Sequence, residues 1–138
     1  MKRYLLDTNH LGEAIGQVSV VRDRLQQMYR QGAIFGTCGP VLCELMLGVV
    51  MHKDADKLRI RLNNILGLVR LWPTDLSIAD KYSTVYHELK SSGRALSQVD
   101  IILAAMVRQM KATLLTTDRD FEALPDIKTE NWIVSAHP

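Results

Sequence analysis

The chain has 138 residues, of which 47% are hydrophobic and 23% are charged, with a formal net charge of +2 at pH 7. This length accommodates one domain with a sizeable core, which we take to span residues 1–138, and the composition excludes a disordered chain. The apolar stretch 45–51 is far too short to span a bilayer and no secretory signal pattern opens the chain, so we expect a cytoplasmic protein. The weakly basic charge permits a nucleic-acid partner without requiring one.

Taken in chain order, hydrophobic periodicity and turn signals predict strands that alternate with helices. Ser19 is a helix start signal and Gly32 a stop, while Pro40 suits the first turn of the next helix. The predicted strands are 3–6, 33–35, 68–72, 112–117 and 127–134. The predicted helices are 19–32, one opening at residue 40, 53–66, 76–89 and 98–111, with a short helix within 118–124.

This alternation predicts an α/β fold with a mainly parallel sheet, because parallel neighbours need crossover connections and helices supply them. In such sheets the ligand site lies beyond the carboxyl ends of the strands, where the strand order reverses. Asp7 follows the first strand and Asp118 follows the fourth. If those two strands are neighbours, both carboxylates face one cleft.

Two further acids stand out against apolar sequence. Glu44 is the only charged residue between positions 41 and 51, and Asp100 is the only one between 98 and 107. Helical wrapping is expected to surround each with apolar neighbours, where charges are rare unless paired. Mutual repulsion among clustered carboxylates raises their pKa values, and a divalent cation is the ordinary way to keep them ionised. Ligation by oxygen alone favours Mg²⁺ or Mn²⁺.

Each acid also has a structural interpretation. Asp7 and Asp118 are suited to capping the helices that follow them, and Asp100 falls in a first helical turn, where the helix dipole favours a negative charge. Glu44 lies in mid-helix and has no such role. The two cysteines, Cys38 and Cys43, are interpreted as core thiols rather than as a disulfide or a zinc site.

Four segments, "YLLDTNHL", "CELMLG", "VDIILAAMV" and "LLTTDRDF", together resemble the PIN-domain ribonucleases, and the short layout resembles the VapC-type toxins of toxin–antitoxin pairs. The resemblance implies a three-layer α/β/α fold around a central, mainly parallel five-stranded sheet. It places the family's acidic quartet, catalytic and metal-binding, on Asp7, Glu44, Asp100 and Asp118. Three supporting residues follow from the same resemblance, with Thr116 behind the first carboxylate, Asn9 as a polar neighbour and Asp120 as a further or outer ligand.

The resemblance also implies the activity and the partners. The expected reaction is hydrolysis of an RNA phosphodiester by metal-activated water, with Mg²⁺ or Mn²⁺ as cofactor, leaving a 5′-phosphate and a 3′-hydroxyl. The expected partners are the RNA substrate, a cognate antitoxin whose carboxyl-terminal segment covers the acidic cleft, and a second copy of the chain in a homodimer. Arg94, Arg119 and Lys53 are candidates for gripping the RNA backbone.

Three other classes of protein share part of this sequence pattern. A phosphatase of the haloacid-dehalogenase kind needs a second Asp two residues after the first, where this chain has Asn9, and the paired acids and late lysine of a receiver domain are missing. The alternative from a different class is a catalytically idle PIN-like domain that only binds RNA or a protein. An apolar excess in residues 41–51 suits either a partner surface or a plain core helix.

Overall fold

A computed structural model describes residues 1–133 of the chain and places five strands in one parallel sheet. The spatial order of the strands is β3-β2-β1-β4-β5, and all neighbours run parallel. The strands are β1 (Arg3–Leu6), β2 (Ile34–Thr37), β3 (Val69–Leu71), β4 (Thr113–Leu115) and β5 (Thr129–Glu130). The predicted PIN-like α/β fold with a five-stranded sheet is confirmed, and the sheet is parallel throughout.

Six α-helices and one 3₁₀ helix connect these strands within the described residues. The α-helices are α1 (Thr8–Ala14), α2 (Val20–Arg30), α3 (Gly39–Val50), α4 (Ala55–Ile65), α5 (Leu76–Ser91) and α6 (Gln98–Met110). The 3₁₀ helix covers Arg119–Ala123. Two predicted starts are confirmed, because Ser19 Oγ accepts the Arg22 N–H at the start of α2 and Ser97 Oγ accepts the Asp100 N–H at the start of α6.

The strand order reverses between β1 and β4. The chain runs outward from β1 through β2 to β3, then returns to the other side of β1 to add β4 and β5. Leu6 lies opposite Leu115 in the register of the two central strands, so β1 and β4 end side by side. The condition set for Asp7 and Asp118 to share a cleft is therefore met.

The core is built on the apolar residues of the central strands. Tyr4 of β1 stacks on Phe35 of β2 with ring centroids 5.2 Å apart, and the Trp132 ring packs against both, at 5.1 Å and 5.9 Å. Further along β2, Gly36 leaves room for the buried Trp72 ring. None of the helices in residues 1–133 combines the length and apolar character that crossing a membrane requires.

Two elements differ from the sequence prediction. Helix α1 was not among the predicted elements and was implied only by the capping interpretation of Asp7, because it is seven residues long and its buried face includes a histidine, His10. The last strand is much shorter than the predicted 127–134, of which residue 134 lies outside the described residues. After Glu130 the backbone leaves the ladder, since the Trp132 N–H donates to His10 and the Ile133 N–H donates to Asn131.

The prediction that both cysteines are core thiols is half wrong. Cys38 is buried at the amino-terminal cap of α3, and burial is the main cause that raises the pKa of its thiol. Cys43 is exposed. It faces outward because the buried positions of α3 are Val41, Leu45 and Val49, which recur every four residues and leave Cys43 off the buried stripe.

Candidate active site

Asp7 lies at the carboxyl end of β1, where it caps α1. Its Oδ1 accepts the backbone N–H of His10 at 2.9 Å and lies 3.2 Å from Nδ1 of the same histidine. The residue is 8% exposed, and its own N–H donates to the Leu115 carbonyl of β4. The capping role is therefore real, and it uses only one carboxylate oxygen. Within residues 1–133, Oδ2 has no hydrogen-bond donor.

Glu44 projects from α3 toward the amino end of α1. Its Oε2 accepts a 2.7 Å hydrogen bond from the Thr8 hydroxyl. The prediction that apolar neighbours enclose Glu44 is wrong, because the side chain is exposed. The cause is the stripe of buried positions already described for α3, which Glu44 does not join. The sequence pattern did not indicate Thr8, since the bond joins residues 36 positions apart.

Asp118 follows β4 and caps the 3₁₀ helix. Its Oδ1 accepts the Asp120 N–H at 2.8 Å, and its own N–H donates to Thr116 Oγ1 at 3.0 Å. Thr116 is buried and thus orders the turn that carries Asp118. No hydrogen bond joins Thr116 to Asp7 in the described residues, so the expected support of the first carboxylate stays a prediction. The Asp120 side chain is exposed to solvent beside this turn.

Asp100 is half-buried in the first turn of α6, and its pKa is affected by the other three acids. Burial is the main cause that raises its pKa, and the negative charges of Asp118, Glu44 and Asp7 raise it further. The Ser97 hydroxyl at the helix start acts in the opposite direction. The four predicted acids, which come from four separate parts of the fold, are therefore near enough for three of them to raise the pKa of the fourth.

The donor set fits a hard divalent cation, because it consists of carboxylate oxygens that repel one another. The side chains are not yet gathered around a common point, however. Among residues 1–133, no group of three or more His, Cys, Asp or Glu side chains is arranged as it would be around an ion. A cation at this site would therefore have to draw the free carboxylate oxygens together.

A cleft of ≈ 490 Å³ opens between α1, α3 and the end of β4. Of the four predicted acids, Glu44 alone lines this cleft, together with Asn9, whose amide donates to the Thr117 hydroxyl at 3.0 Å. This bond ties the turn after β1 to the turn after β4 and places the predicted Asn9 at the site. Glu13 also lines the cleft, one helical turn after Asn9. Neither Glu13 nor Thr117 was predicted as a site residue, because neither interrupts an apolar run.

The three basic residues proposed to bind the RNA backbone are exposed and lie far apart in the sequence. Arg119 follows Asp118 directly, and its side chain is 86% exposed, with Nε 3.4 Å from Glu122. Arg94 lies between α5 and α6, where it lines a separate cavity of ≈ 150 Å³. Lys53 lies between α3 and α4. Of the three, only Arg119 is adjacent in sequence to one of the four acids.

Helix α3 exposes several apolar side chains that do not pack into the core. Leu47, Val50 and Met51, at the carboxyl end of this helix, are 74%, 67% and 86% exposed. Gly48 lies between them and lines the cleft beside Glu44. The predicted apolar excess is thus present at the surface, on the same helix whose Glu44 and Gly48 line the cleft.

Comparison with known proteins places these features in a family. The profile of the PIN domain matches residues 4–127. A search of curated proteins found no match. The resemblance drawn from the four sequence segments is therefore confirmed at the level of the domain family.

Solved structures share the fold over nearly the whole chain. VapBC2 from Rickettsia felis, bound to a DNA fragment from its promoter, contains a chain 23% identical with a TM-score of 0.83, covering 95% of this chain and 99% of that one. FitAcB from Neisseria gonorrhoeae is 27% identical with a TM-score of 0.75, covering 94% and 97%. The sarcin–ricin-loop-cleaving toxin VapC20 from Mycobacterium tuberculosis is 17% identical with a TM-score of 0.59, covering 87% and 93%.

Proposed function

The chain belongs to the PIN domain family, and from that premise we propose that it is a Mg²⁺-dependent endoribonuclease, the toxin of a toxin–antitoxin pair. The family membership and the structural likeness to VapBC complexes support a toxin nuclease. The likeness to a toxin that cleaves the sarcin–ricin loop supports a structured RNA as substrate. Exposed loops are the usual targets of sequence-specific RNA recognition.

One observation carries the proposal. Asp7, Glu44 and Asp118 are each anchored through a single carboxylate oxygen, by His10, Thr8 and the Asp120 backbone respectively. In the part of the chain that is described, the second oxygen of each accepts no hydrogen bond. Acids serving only as caps or ion-pair partners have no need to collect around a fourth, Asp100, whose pKa they raise. Oriented carboxylates with one free oxygen are the starting point of a metal site.

In this assignment Asp7 and Asp100 hold the principal cation, directly or through water. A bound Mg²⁺ or Mn²⁺ supplies Lewis acidity toward the phosphodiester and a lowered pKa for the attacking water. Glu44, fixed by Thr8 through Oε2, orients that water or accepts its proton at Oε1. Asp118 completes the ligand set or holds a second ion, and the cleft beside Glu44 admits the substrate.

The proposed partners are an antitoxin and a second copy of the chain. The exposed Leu47, Val50 and Met51 form an apolar surface next to the acidic cleft, and an antitoxin segment lying there would cover Glu44 as well. Single surface apolar residues are common, but three on one helix end indicate an interaction site. The homodimer rests on the family resemblance, and sedimentation of the purified chain tests it.

The test of the nuclease is cleavage of total cellular RNA by purified protein with Mg²⁺ or Mn²⁺, followed by sequencing of the new 5′ ends. We expect discrete cuts that vanish with EDTA and in the Asp7→Asn variant. Asp56→Asn is the matched control, because Asp56 is an exposed aspartate of α4 outside the site. It should cut as the wild type does.

Two outcomes would contradict the proposal. Cuts that persist in EDTA would rule out the metal mechanism. RNA or partner binding without any cleavage, in either metal, would favour the idle binding domain instead. Such a module should also bind RNA equally well with and without EDTA.

A further inference from the structure

His10 is a fully buried polar residue that the proposed mechanism does not use. It lies on α1 with 0% of its surface exposed, directly against Asp7. Its Nδ1 is 3.2 Å from Asp7 Oδ1, and its Nε2 accepts the backbone N–H of Trp132 at 3.0 Å. The ring therefore bridges the first acid of the site and the segment that follows β5.

The two hydrogen bonds assign the proton on the ring. A backbone N–H can only donate, so Nε2 must present its lone pair to Trp132 and carries no hydrogen. The single ring proton then resides on Nδ1, from which it donates to Asp7. With the His10 N–H on the same oxygen, Asp7 Oδ1 has two donors, whereas Oδ2 accepts no hydrogen bond within residues 1–133.

We propose that His10 is a positioning residue, which holds Asp7 with Oδ2 presented to the cation, and that the Trp132 backbone keeps the His10 ring in the tautomer this requires. The inference rests on the proposed function in that it takes Asp7 as a metal ligand. It adds a residue outside the acidic quartet, and it makes the segment after β5 part of the support for the site.

The contacts of Trp132 fix the position of the backbone N–H that donates to His10. Trp132 is 2% exposed, and its ring packs on Tyr4 and Phe35 and lies 4.3 Å from the Arg24 guanidinium. The indole N–H donates to Glu130 at 2.9 Å. These contacts fix the position of the backbone N–H that reaches His10, so the ring of His10 has a rigid partner rather than water.

The first test reads the tautomer directly. Long-range ¹H–¹⁵N correlation of the histidine rings in the folded, metal-free protein distinguishes a protonated Nδ1 from a protonated Nε2. We expect His10 to carry its proton on Nδ1 and to exchange it slowly, as a buried donor does. A proton on Nε2, or on both nitrogens, would overturn the proposal.

Two substitutions separate the two links. In His10→Asn, the amide nitrogen occupies the place of Nδ1 and still donates to Asp7, but nothing reaches Trp132. In His10→Gln, the amide oxygen occupies the place of Nε2 and accepts from Trp132, but Asp7 Oδ1 loses its side-chain donor. His52→Gln is the matched control, since His52 is exposed and its Nδ1 accepts the backbone N–H of the neighbouring Asp54.

The readouts are the Kd for Mn²⁺ and the midpoint of thermal unfolding. We expect His10→Gln to weaken Mn²⁺ binding about 10–100-fold, as loss of a partner behind a metal ligand typically does, with a small change in the midpoint. We expect His10→Asn to keep the Mn²⁺ affinity and to unfold at lower temperature, because a buried N–H is left unpaired. His52→Gln should change neither.

The results separate this inference from the proposed function. If Asp7→Asn loses Mn²⁺ binding while His10→Gln keeps it, His10 is only a core residue and the nuclease proposal stands. If both His10 variants lose stability and Mn²⁺ affinity in parallel, a purely structural role accounts for them and the inference fails. If Asp7→Asn binds Mn²⁺ as the wild type does, Asp7 is not a ligand and both proposals fall.

Discussion

Gly36 of β2 is the position where the smallest added group should do the most damage. A Cβ built there would lie 2.3 Å from two carbons of the Trp72 ring and 2.5 Å from a third. Carbon atoms pack best at about 3.5–4.0 Å, so in Gly36→Ala the ring has to withdraw by more than about 1 Å. Trp72 has little freedom to do so, since it is 7% exposed and its backbone N–H is held by the Thr37 carbonyl at 2.9 Å.

The cost follows from the two ways in which the strain can be relieved. Compressing the core around a bound ring costs about 1–3 kcal/mol. Expelling the ring exposes about 150–250 Å² of aromatic surface, which at about 25 cal/mol per Å² costs about 4–6 kcal/mol. Compression is cheaper, and it is offset by about 0.5–1 kcal/mol because alanine suits a strand better than glycine does. We expect Gly36→Ala to lower the free energy of unfolding by about 0.5–2 kcal/mol, the compression cost less the gain from alanine.

Urea unfolding followed by far-ultraviolet circular dichroism measures this, in the wild type and in a Trp72→Leu background. Leucine leaves the space over Gly36 open, so Gly36→Ala in that background should be neutral or stabilising by up to about 1 kcal/mol. The sign reversal is the signature of the clash. An equal loss in both backgrounds, or no loss in the wild type, would refute the reasoning.

Three further predictions concern single contacts. Thr8→Val removes the hydroxyl that fixes Glu44 and should slow RNA cleavage about tenfold. Thr8→Ser keeps the hydroxyl and should cut at the wild-type rate. If both variants slow cleavage by the same factor, the hydrogen bond has no role in the reaction. The Arg108 guanidinium lowers the pKa of the Asp126 carboxyl below its usual value of 3.8. The ion pair therefore stabilises the folded state at pH values above 3.8. This stabilisation is lost as the pH falls through the lowered pKa of Asp126. Asp126→Asn should therefore cost about 0.2–1 kcal/mol at pH 7, the range for so exposed a pair, and nothing in strong acid; a cost independent of pH in urea titrations would contradict this. Lys111 ends α6 with φ 52°, a left-handed conformation that is strained for lysine and favours glycine. Lys111→Gly should therefore raise the free energy of unfolding by about 0.5–1 kcal/mol. A lower melting temperature of the variant would contradict this.

The positions of the four acids could be predicted from the sequence, because each interrupts or ends an apolar run. Asp7 and Asp118 end strands, and Asp100 and Glu44 are isolated charges in apolar helices. Their proximity could be predicted only on the condition that β1 and β4 are adjacent, since hydrophobic periodicity reports secondary structure and not strand order. The structure meets that condition.

What holds the acids in place could not be predicted in the same way. The Thr8 hydroxyl reaches Glu44 from 36 positions away, and His10 meets Trp132 across 122. Such pairs depend on tertiary packing, and neither threonine nor histidine disturbs the local pattern. Helix α1 was missed for a related reason, because a seven-residue helix with a buried histidine shows too little periodicity to be recognised.

The reversal of strand order at β1 and β4 has a consequence for biosynthesis. The two turns that meet at the acidic cleft, joined by the hydrogen bond between Asn9 and Thr117, are 108 positions apart in the chain. Ribosomes add roughly 5–20 residues per second and domains fold as units. A growing chain therefore carries Asp7 from the beginning but cannot assemble the site until β4 and the Asp118 turn have been made. If the protein is the nuclease proposed here, a growing chain cannot cut RNA before the Asp118 turn has been made and has folded against β1.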